Sequence, residues 1–298
     1  MPYRNIFVAN SAKLSCKNNQ LVVGNYDSYT FPIEDVRCIL IESQSVSVTS
    51  YLVSQLANKG VCVIFCDSKH LPASVLLPIN GFCRQEKRLL LQFNQSKPNL
   101  KRLWQSIVIS KIKNQAKCLE LCGKGEAKQL YDISKSVASG DTTNREAYAA
   151  ALYFKALFGK KFCRNDENSV NAALNYGYAI IRTYISRTLA VYGFEPSLGI
   201  HHSNDYNNFN LADDLIEPFR PVIDLFVYNN VFSQNEEFNS VHKAELLRLL
   251  NAVILSGKER HSVAFAIERL IQSLVSSYED GSVLTLPTLL KTDYFDYD

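Results

Sequence analysis

The sequence predicts an α+β protein in which a small N-terminal β-rich domain, residues 1–80, precedes a larger all-helical domain, residues 81–298. Short runs of β-branched and aromatic residues fill the first part of the chain, with turn residues between them, and such runs are typical of strands. After the segment Pro78-Ile79-Asn80-Gly81 the apolar residues recur with the period of a helix. A chain of 298 residues is long enough to build two hydrophobic cores.

The first domain is expected to contain seven strands and one helix. Asn18-Asn19 is typical of a two-residue hairpin turn, because asparagine tolerates a positive φ. The helix, residues 48–58, is expected to end near Gly60, since glycine is the usual residue after a helix. The strands are expected at residues 4–9, 13–17, 20–24, 29–33, 36–41, 61–65 and 74–79.

The second domain is expected to contain eight helices. Pro218 and Pro221 should break or kink the helix that carries them, because proline removes a backbone donor. The tail, residues 282–298, is rich in Thr, Asp and Tyr and is expected to be mobile. The helices are expected at residues 82–93, 100–121, 126–138, 143–158, 169–192, 209–227, 241–255 and 259–278.

Positive charge is concentrated between residues 81 and 128. Eleven Lys and Arg stand there against three acids, so this segment carries +8 in a chain whose total is +3. In the helix over residues 100–121, one stripe is apolar, whereas Arg102, Lys113 and Lys117 fall on the opposite face. A solvated helix face is the alternative, but such faces usually intersperse acids, and these are largely missing here. The pattern favours an anionic partner. The apolar stripe is Trp104, Val108, Ile112, Ala116 and Leu119.

The composition indicates a cytoplasmic protein. The N-terminus has no basic and then apolar signal region, and no apolar run approaches the ~20 residues of a membrane span. Eight cysteines occur without a C-x2-C pair, which disfavours a structural zinc site. We expect these cysteines to be buried free thiols in a reducing compartment.

The stretch from Gly199 to Pro221 concentrates side chains that suit metal-assisted chemistry. Imidazoles beside carboxylates can bind a divalent cation, and a nearby guanidinium can meet the charge of a phosphodiester. The alternative is structural, because the dipole of a helix favours acids in its first turn. The stretch alone leaves both interpretations open. Its polar residues of interest are His201, His202, Asp213, Asp214, Glu217 and Arg220.

Glu146 is a candidate for a further ligand, at the start of an Ala- and Tyr-rich helix. The segment Thr143-Asn144-Arg145-Glu146 also matches the capping box, in which a glutamate bonds back to the helix start. The spacing fits both roles. Five tyrosines lie on the helices nearest these motifs; side chains at such positions are usually core, although one or two could stack on a splayed base. They are Tyr148, Tyr153, Tyr176, Tyr178 and Tyr184.

Three segments in order and spacing resemble the integrase of CRISPR adaptation, a metal-dependent nuclease and integrase of the spacer-acquisition complex. They read NREAYAAALYFKALFG, VNAALNYGYAIIRTYISRTLAVYGFEPSLGIHH and FNLADDLIEPFRPVID. The N-terminal RNIFVANSAKLSCKNNQLVV is similar to members from systems with a single-protein RNA-guided effector nuclease. The resemblance covers essentially the whole chain.

The resemblance implies a metal site at three positions. The family's glutamate in an N-x-E-G helix corresponds to Glu146, its histidine in a G-x-x-H loop to His202, and the acid closing D-L-x-E to Glu217. Ala147 departs from the family, which usually has glycine there, and its methyl group could narrow the approach of DNA. His201 is then expected to support the site or to contact DNA. Two carboxylates and one imidazole suit Mg2+ or Mn2+ better than a closed zinc site.

The implied reaction is a transesterification, in which the 3′-hydroxyl of a captured DNA fragment attacks a phosphodiester at the CRISPR repeat boundary. From their positions, Arg220 and Arg145 could clamp non-bridging oxygens; an ion pair with Glu217 or Asp213 is the alternative for Arg220. Pro218 could turn Glu217 and Arg220 toward one phosphate. The basic helices would hold the backbone of double-stranded DNA through Arg84, Lys87, Arg88, Lys101, Arg102, Lys113, Lys117 and Arg145.

The resemblance also implies partners. The family works as a homodimer, here expected through the β-rich domain, joined to a small dimeric adaptation protein. Other acquisition proteins or the effector nuclease are further candidates, and no membrane is expected. Two alternatives share the same residues: a general metal-dependent DNA nuclease acting in repair, and a DNA-binding scaffold with a degenerate site. The intact Glu, His and Glu set disfavours the scaffold.

Overall fold

The computed structural model describes residues 2–24, 27–78 and 84–294, which fall into two compact units. The first consists of described residues before position 79, and the second of described residues after position 83. Strands dominate the first unit and helices the second. The predicted α+β class is therefore confirmed.

The first unit contains two four-stranded sheets. Their strand orders are β1-β5-β7-β8, with β1, β5 and β7 parallel, and β4-β3-β2-β6. Six of the seven predicted strands are present near their predicted bounds, whereas the strand predicted at 74–79 is shifted to β8, which ends at Val75; position 79 lies outside the described residues. The three-residue strand β6 was not predicted. The elements are β1 (Arg4–Val8), β2 (Ala12–Lys17), β3 (Gln20–Gly24), β4 (Ser28–Pro32), β5 (Val36–Ile41), β6 (Val46–Val48), α1 (Ser50–Asn58), β7 (Cys62–Cys66) and β8 (Pro72–Val75).

The apolar run of β5 and the Asn18-Asn19 turn have the structures that the sequence predicts. Every residue of β5 is buried, which accounts for its continuous run of mostly apolar residues between two parallel neighbours. Asn18 and Asn19 take φ of 50° and 59°, as the tight turn between β2 and β3 requires. The core of the unit forms around Leu14, Ile39 and Leu52.

The second unit is mainly helical but also contains a three-stranded sheet in the order β10-β9-β11. The helices predicted at 241–255 and 259–278 are therefore wrong where these strands lie. The apolar run before Gly257 was too short to distinguish a strand from a buried helix. The elements are α2 (Gln85–Phe93), α3 (Lys97–Leu121), α4 (Ala127–Lys135), α5 (Arg145–Phe158), α6 (Ser169–Val191), α7 (Asn210–Ile216), α8 (Arg220–Val227), α9 (Ser240–Arg248), β9 (Val253–Ser256), β10 (Glu259–Ser262), α10 (Val263–Asp280) and β11 (Pro287–Thr288).

Helix α3 is the scaffold of the second unit. It begins at Lys97, three residues earlier than predicted, because the Ser96 hydroxyl caps its first turn and Pro98 is compatible with that turn. Its predicted apolar stripe is buried throughout, and the helix packs against α4, α5 and α8. Because this stripe is buried, the residues of α3 beside it also face the interior of the second unit, where the site described below lies.

The C-terminal segment is tied to the second unit rather than mobile at residues 284–289. Leu284 and Leu289 are buried, and β11 pairs with β9. The buried amide of Asn114 donates to the carbonyl oxygens of Pro218 (2.7 Å) and Pro287 (3.0 Å) and accepts from the Leu289 amide (3.0 Å). One side chain of α3 therefore links this segment to the turn that carries Glu217.

The expectation of buried cysteines holds for four of those that the structure describes, Cys38, Cys62, Cys66 and Cys118, whereas Cys163 is exposed. Cys83 lies outside the described residues. In the described part of the chain, no helix combines the length and the apolar character that a bilayer crossing demands.

Candidate active site

Glu146 lies in the first turn of α5, and its side chain is not used as a cap. The carboxylate of Asp141 accepts the backbone N–H groups of Arg145 (2.8 Å) and Glu146 (2.9 Å), so Asp141 satisfies the start of the helix. The side chain of Glu146 instead contacts Lys111 of α3. The capping-box alternative for Glu146 is therefore wrong.

Lys111 brings the two predicted glutamates together. Its side chain is 7% exposed, and Nζ contacts both Glu146 Oε1 and Glu217 Oε2. Burial alone would lower the pKa of Lys111, but the charges of Glu217 and Glu146 outweigh it, and the pKa is raised. The ammonium group thus marks a point on which both carboxylates converge.

The sequence contained a signal for Lys111 that the motif analysis missed. Three residues after Val108 and next to Ile112, Lys111 falls on the apolar face of α3 rather than on its basic face. A lysine in such a stripe must find a carboxylate, because an unpaired buried charge is costly.

Glu217 lies in a 3₁₀ turn, Glu217–Phe219, between α7 and α8, as expected from Pro218. Arg220 Nε donates to Glu217 Oε1 at 2.9 Å, and its guanidinium lies 4.5 Å from the ring centre of Tyr178. Burial would raise the pKa of Glu217, but Arg220 and Lys111 together lower it to about 2. The ion-pair interpretation of Arg220 is confirmed, and a contact with phosphate stays a prediction.

The loop with the two histidines is organised by Asp214, a fully buried residue of α7. Its carboxylate accepts the backbone N–H groups of Ile200 (2.6 Å), His201 (2.9 Å) and His202 (3.3 Å). A Cβ atom on Gly199 would lie 2.2 Å from the carbonyl oxygen of His202, so the loop requires glycine there. The sequence placed Asp214 among the polar residues of interest but did not link it to this loop, because its partners lie 12 to 14 residues earlier in the chain.

Asp214 also orients the ring of His202. Asp214 Oδ1 lies 2.7 Å from His202 Nδ1, and this hydrogen bond is the main reason that the pKa of His202 is raised. With Nδ1 engaged, Nε2 is the nitrogen available to a ligand. The ring of His201 instead stacks on Trp104, with centroids 4.3 Å apart and planes 3° from parallel. The two neighbouring histidines therefore have different surroundings.

The structure assembles the predicted ligands in two groups. Glu146 and Glu217 meet at Lys111, whereas His202 is held by Asp214. Over residues 2–24, 27–78 and 84–294, no three His, Cys, Asp or Glu side chains form a ready metal-binding cluster. Ligation by all three would therefore need a rearrangement of side chains.

Several predicted DNA-binding residues have acidic partners, of which Glu279 is distant in sequence from its partners and Glu120 lies only three residues after Lys117. Glu279 of α10 lies 3.0 Å from Lys87 and 3.3 Å from Arg88, and Glu120 lies 2.9 Å from Lys117. Exposed pairs of this kind contribute about 0–1 kcal/mol, so they do not prevent contact with phosphate. The other predicted contacts are exposed at Arg84, Lys101, Arg102 and Lys113 and half-buried at Arg145.

A cleft of about 510 Å³ lies beside His202. Amide and hydroxyl groups make up much of its lining, and Phe93, which is 69% exposed, contributes an aromatic face. Leu100, Leu198 and a second aromatic residue, Tyr278, also line the cleft, and this mixture of polar and aromatic groups could hold the end of a nucleic acid. The lining includes Gln92, Ser203, Asn204, Asn207 and Tyr278.

The tyrosines near the site are mostly core, as expected. Tyr153, Tyr176, Tyr178 and Tyr184 are buried, whereas Tyr148 is 52% exposed. The hydroxyl groups of Tyr153 and Tyr178 both donate to Asp224 of α8, the first at 2.9 Å. Burial raises the pKa of Asp224 to about 6 although these hydrogen bonds oppose the change.

This aspartate should make stability fall as the pH rises. Because its pKa increases from 3.8 in the unfolded chain to about 6 in the folded protein, its contribution is complete below about pH 4 and is lost as the pH rises through 6. We expect Asp224→Asn to remove this dependence, which amounts to roughly 2 kcal/mol between pH 4.5 and 7.5. Urea unfolding at pH 4.5 and 7.5 measures it. If the free energy of unfolding changes by the same amount between the two pH values in the wild-type protein and in the variant, the prediction is wrong.

Comparisons with known proteins agree with the resemblance in the motifs. The family model described as "CRISPR associated protein Cas1" matches residues 6–268. The chain is 42% identical to the CRISPR-associated endonuclease Cas1 of Neisseria meningitidis serogroup C (strain 8013), over 100% of both chains. It shares its fold with a casposase bound to an integration product (TM-score 0.76, 16% identity, 94% and 91% covered). The chain has the same fold as a chain of a partial Cas6-RT-Cas1–Cas2 complex (TM-score 0.67, 16% identity, 97% and 99% covered).

Proposed function

The chain belongs to the CRISPR-associated Cas1 family, and from this premise we propose that it inserts short DNA fragments into a CRISPR array by metal-dependent transesterification. One observation supports the chemistry most strongly. Glu146 of α5 and Glu217 of the turn after α7 are far apart in sequence, yet their carboxylates converge on a single positive charge. This arrangement suits a cation-binding centre at which two phosphodiester oxygens could be activated.

A divalent cation fits the carboxylate pair. The contacts with the Lys111 ammonium mean that one oxygen of each glutamate is directed at a shared position. Carboxylate oxygens are the ligands that Mg2+ and Mn2+ prefer. Glu146 and Glu217 would hold the metal, with Nε2 of His202 as a nitrogen donor. The bound metal would polarise the phosphoryl oxygen and assist the attacking or leaving oxygen.

The protein's own groups would position and neutralise the phosphodiester. The 3′-oxygen of the fragment forms a bond to phosphorus and loses its proton, while the bond to the 3′-oxygen of the array strand breaks and that oxygen gains a proton. The Arg220 guanidinium has five N–H donors, and its Nε–H is directed at Glu217. Its remaining donors would bind a non-bridging oxygen, and Arg145 at the start of α5 would bind another.

The exposed basic residues and the cleft beside His202 would hold the DNA. Arg84, Lys101 and Lys113 would contact the phosphate backbone without reading the sequence, and the polar cleft would accept the fragment end. Binding should then weaken steeply with salt, with about 0.9 counterions released for each phosphate neutralised. We also propose that this chain acts as a homodimer with a small Cas2-type partner; the Cas1–Cas2 complexes among the structural neighbours support the Cas2-type partner.

A joining assay tests the function. The protein and its partner are incubated with a short duplex carrying 3′-hydroxyl ends, a repeat-bearing plasmid, and Mg2+ or Mn2+. Covalent joining is expected, and a duplex with 3′-deoxy ends should not be joined. Cleavage without joining would instead indicate a nuclease acting in repair.

Two variants of the histidine loop complete the test. His202→Ala should abolish joining, and His201→Ala should retain part of it, because Asp214 binds the ring of His202, whereas the ring of His201 stacks on Trp104. Full joining by His202→Ala with none by His201→Ala would show that the wrong histidine had been assigned. If neither joining nor cleavage occurs and His202→Ala binds DNA normally, the protein is a scaffold.

A further inference from the structure

Lys111 occupies a position that a metal-binding centre does not ordinarily give to a lysine. The side chain is buried on the inner face of α3, and its ammonium contacts Glu146 on one side and Glu217 on the other. Arg220 supplies a second positive group to Glu217. The carboxylate pair is thus neutralised by groups of the protein itself.

The same position cannot hold an ammonium and a divalent cation at once. Two positive charges within a few ångströms repel each other strongly where water is largely excluded. A metal that binds Glu146 and Glu217 must therefore move the Lys111 ammonium away from them. Because Lys111 is anchored in the middle of α3, its ammonium remains close to the site after it is displaced.

We propose that Lys111 is a built-in counter-ion of the Glu146–Glu217 pair, and that a divalent cation displaces it onto a phosphate of the bound DNA. This inference rests on the proposed function, which identifies the two glutamates as metal ligands. A buried ammonium without a partner is costly, so displacement by the metal alone is opposed. A phosphodiester beside the site supplies the missing anion. Lys111 therefore makes metal binding and DNA binding strengthen each other.

The test measures metal binding rather than catalysis. Binding of Mn2+ to the full-length protein is followed by electron paramagnetic resonance, alone and with a duplex whose 3′-deoxy ends prevent joining. Lys111→Gln removes the counter-ion. Lys135→Gln is the matched control, because Lys135 also contacts a carboxylate, Asp132 at 2.8 Å, but both side chains are exposed.

We expect Lys111→Gln to bind Mn2+ alone at least about tenfold more tightly than the wild-type protein, as close charge pairs couple by this much or more. DNA should increase the Mn2+ affinity of the wild-type protein and of Lys135→Gln, and have a smaller effect in Lys111→Gln. Equal or weaker Mn2+ binding by Lys111→Gln would overturn the inference.

Thermal unfolding separates this outcome from a folding defect. Without Lys111 the two carboxylates repel each other, so Mn2+ should raise the Tm of Lys111→Gln more than that of the wild-type protein. A variant that unfolds early and is not rescued by Mn2+ would show a purely structural lysine. If the wild-type protein binds no Mn2+ with or without the duplex, and Glu217→Gln gives the same Mn2+ titration, the proposed metal site fails instead.

Discussion

Replacing Glu217 with glutamine is expected to lower the rate of DNA joining by at least about a thousandfold. The substitution removes a carboxylate oxygen from the proposed metal site, and a catalytic metal contributes several kcal/mol to the transition state. The same change leaves Lys111 and Arg220 facing a neutral amide. Because breaking a buried pair costs about 3–5 kcal/mol, the free energy of unfolding should fall as well.

Two companion variants separate these effects. The side chain of Glu146 is 26% exposed, compared with 8% for Glu217, so Glu146→Gln should lose joining with a smaller loss of stability. Glu120→Gln removes an exposed glutamate of α3 that contacts Lys117 and should join DNA normally. Joining rates, circular dichroism and urea unfolding are measured on all three. A folded Glu217→Gln protein that joins DNA at the wild-type rate would refute the assignment.

Replacing Asp214 with asparagine is expected to damage both the fold of the histidine loop and the reaction. The Oδ2 atom accepts from Ile200 and His201, and Oδ1 accepts from His202 and faces its ring nitrogen. In the asparagine variant, an amide nitrogen in either position would face N–H donors from which it cannot accept a hydrogen bond. Hydrogen bonds to charged groups contribute about 1.5–3 kcal/mol each, so we expect the free energy of unfolding to fall by roughly 3–5 kcal/mol.

The reaction should slow by about 10–100-fold, the usual effect of losing the carboxylate that orients a ligand histidine. Asp213→Asn is the control, because the neighbouring Asp213 accepts from Asn207 and lies 3.6 Å from Arg182, whereas the hydrogen bond to the His202 ring comes from Asp214. Fluorescence of Trp104, the only tryptophan in the sequence, reports on the loop through its stacking on His201. An unchanged spectrum and rate in Asp214→Asn would contradict this role of Asp214.

Local sequence signals predicted most of the secondary structure. The Asn18-Asn19 turn, most strands of the first unit and the interruption at Pro218 depend on backbone preferences within a few residues, and the structure contains them. The apolar periodicity predicted helices where β9 and β10 lie. These strands are short, and β9 is stabilised by pairing with β10 and β11, which a local pattern does not show.

Charge counting was less informative than periodicity. The surplus of lysine and arginine between residues 81 and 128 favours an anionic partner, but the count includes Lys111, which is buried against two glutamates from later elements. Glu279, which pairs with Lys87 and Arg88, lies at the other end of the second unit's sequence. For these residues, only the tertiary structure shows which acidic side chain is the partner.

The sequence by itself determined the family, the α+β class and the three residues proposed to hold a metal, because these follow from local patterns and the register of motifs. Only the tertiary structure decided that Asp141 rather than Glu146 caps α5, that Asp214 holds the histidine loop, and that Lys111 lies between the carboxylates. The physical reason is common to all three. Buried polar groups must be paired, and packing selects their partners among several candidates, nearby in sequence for Asp141 and in other elements for Asp214 and Lys111.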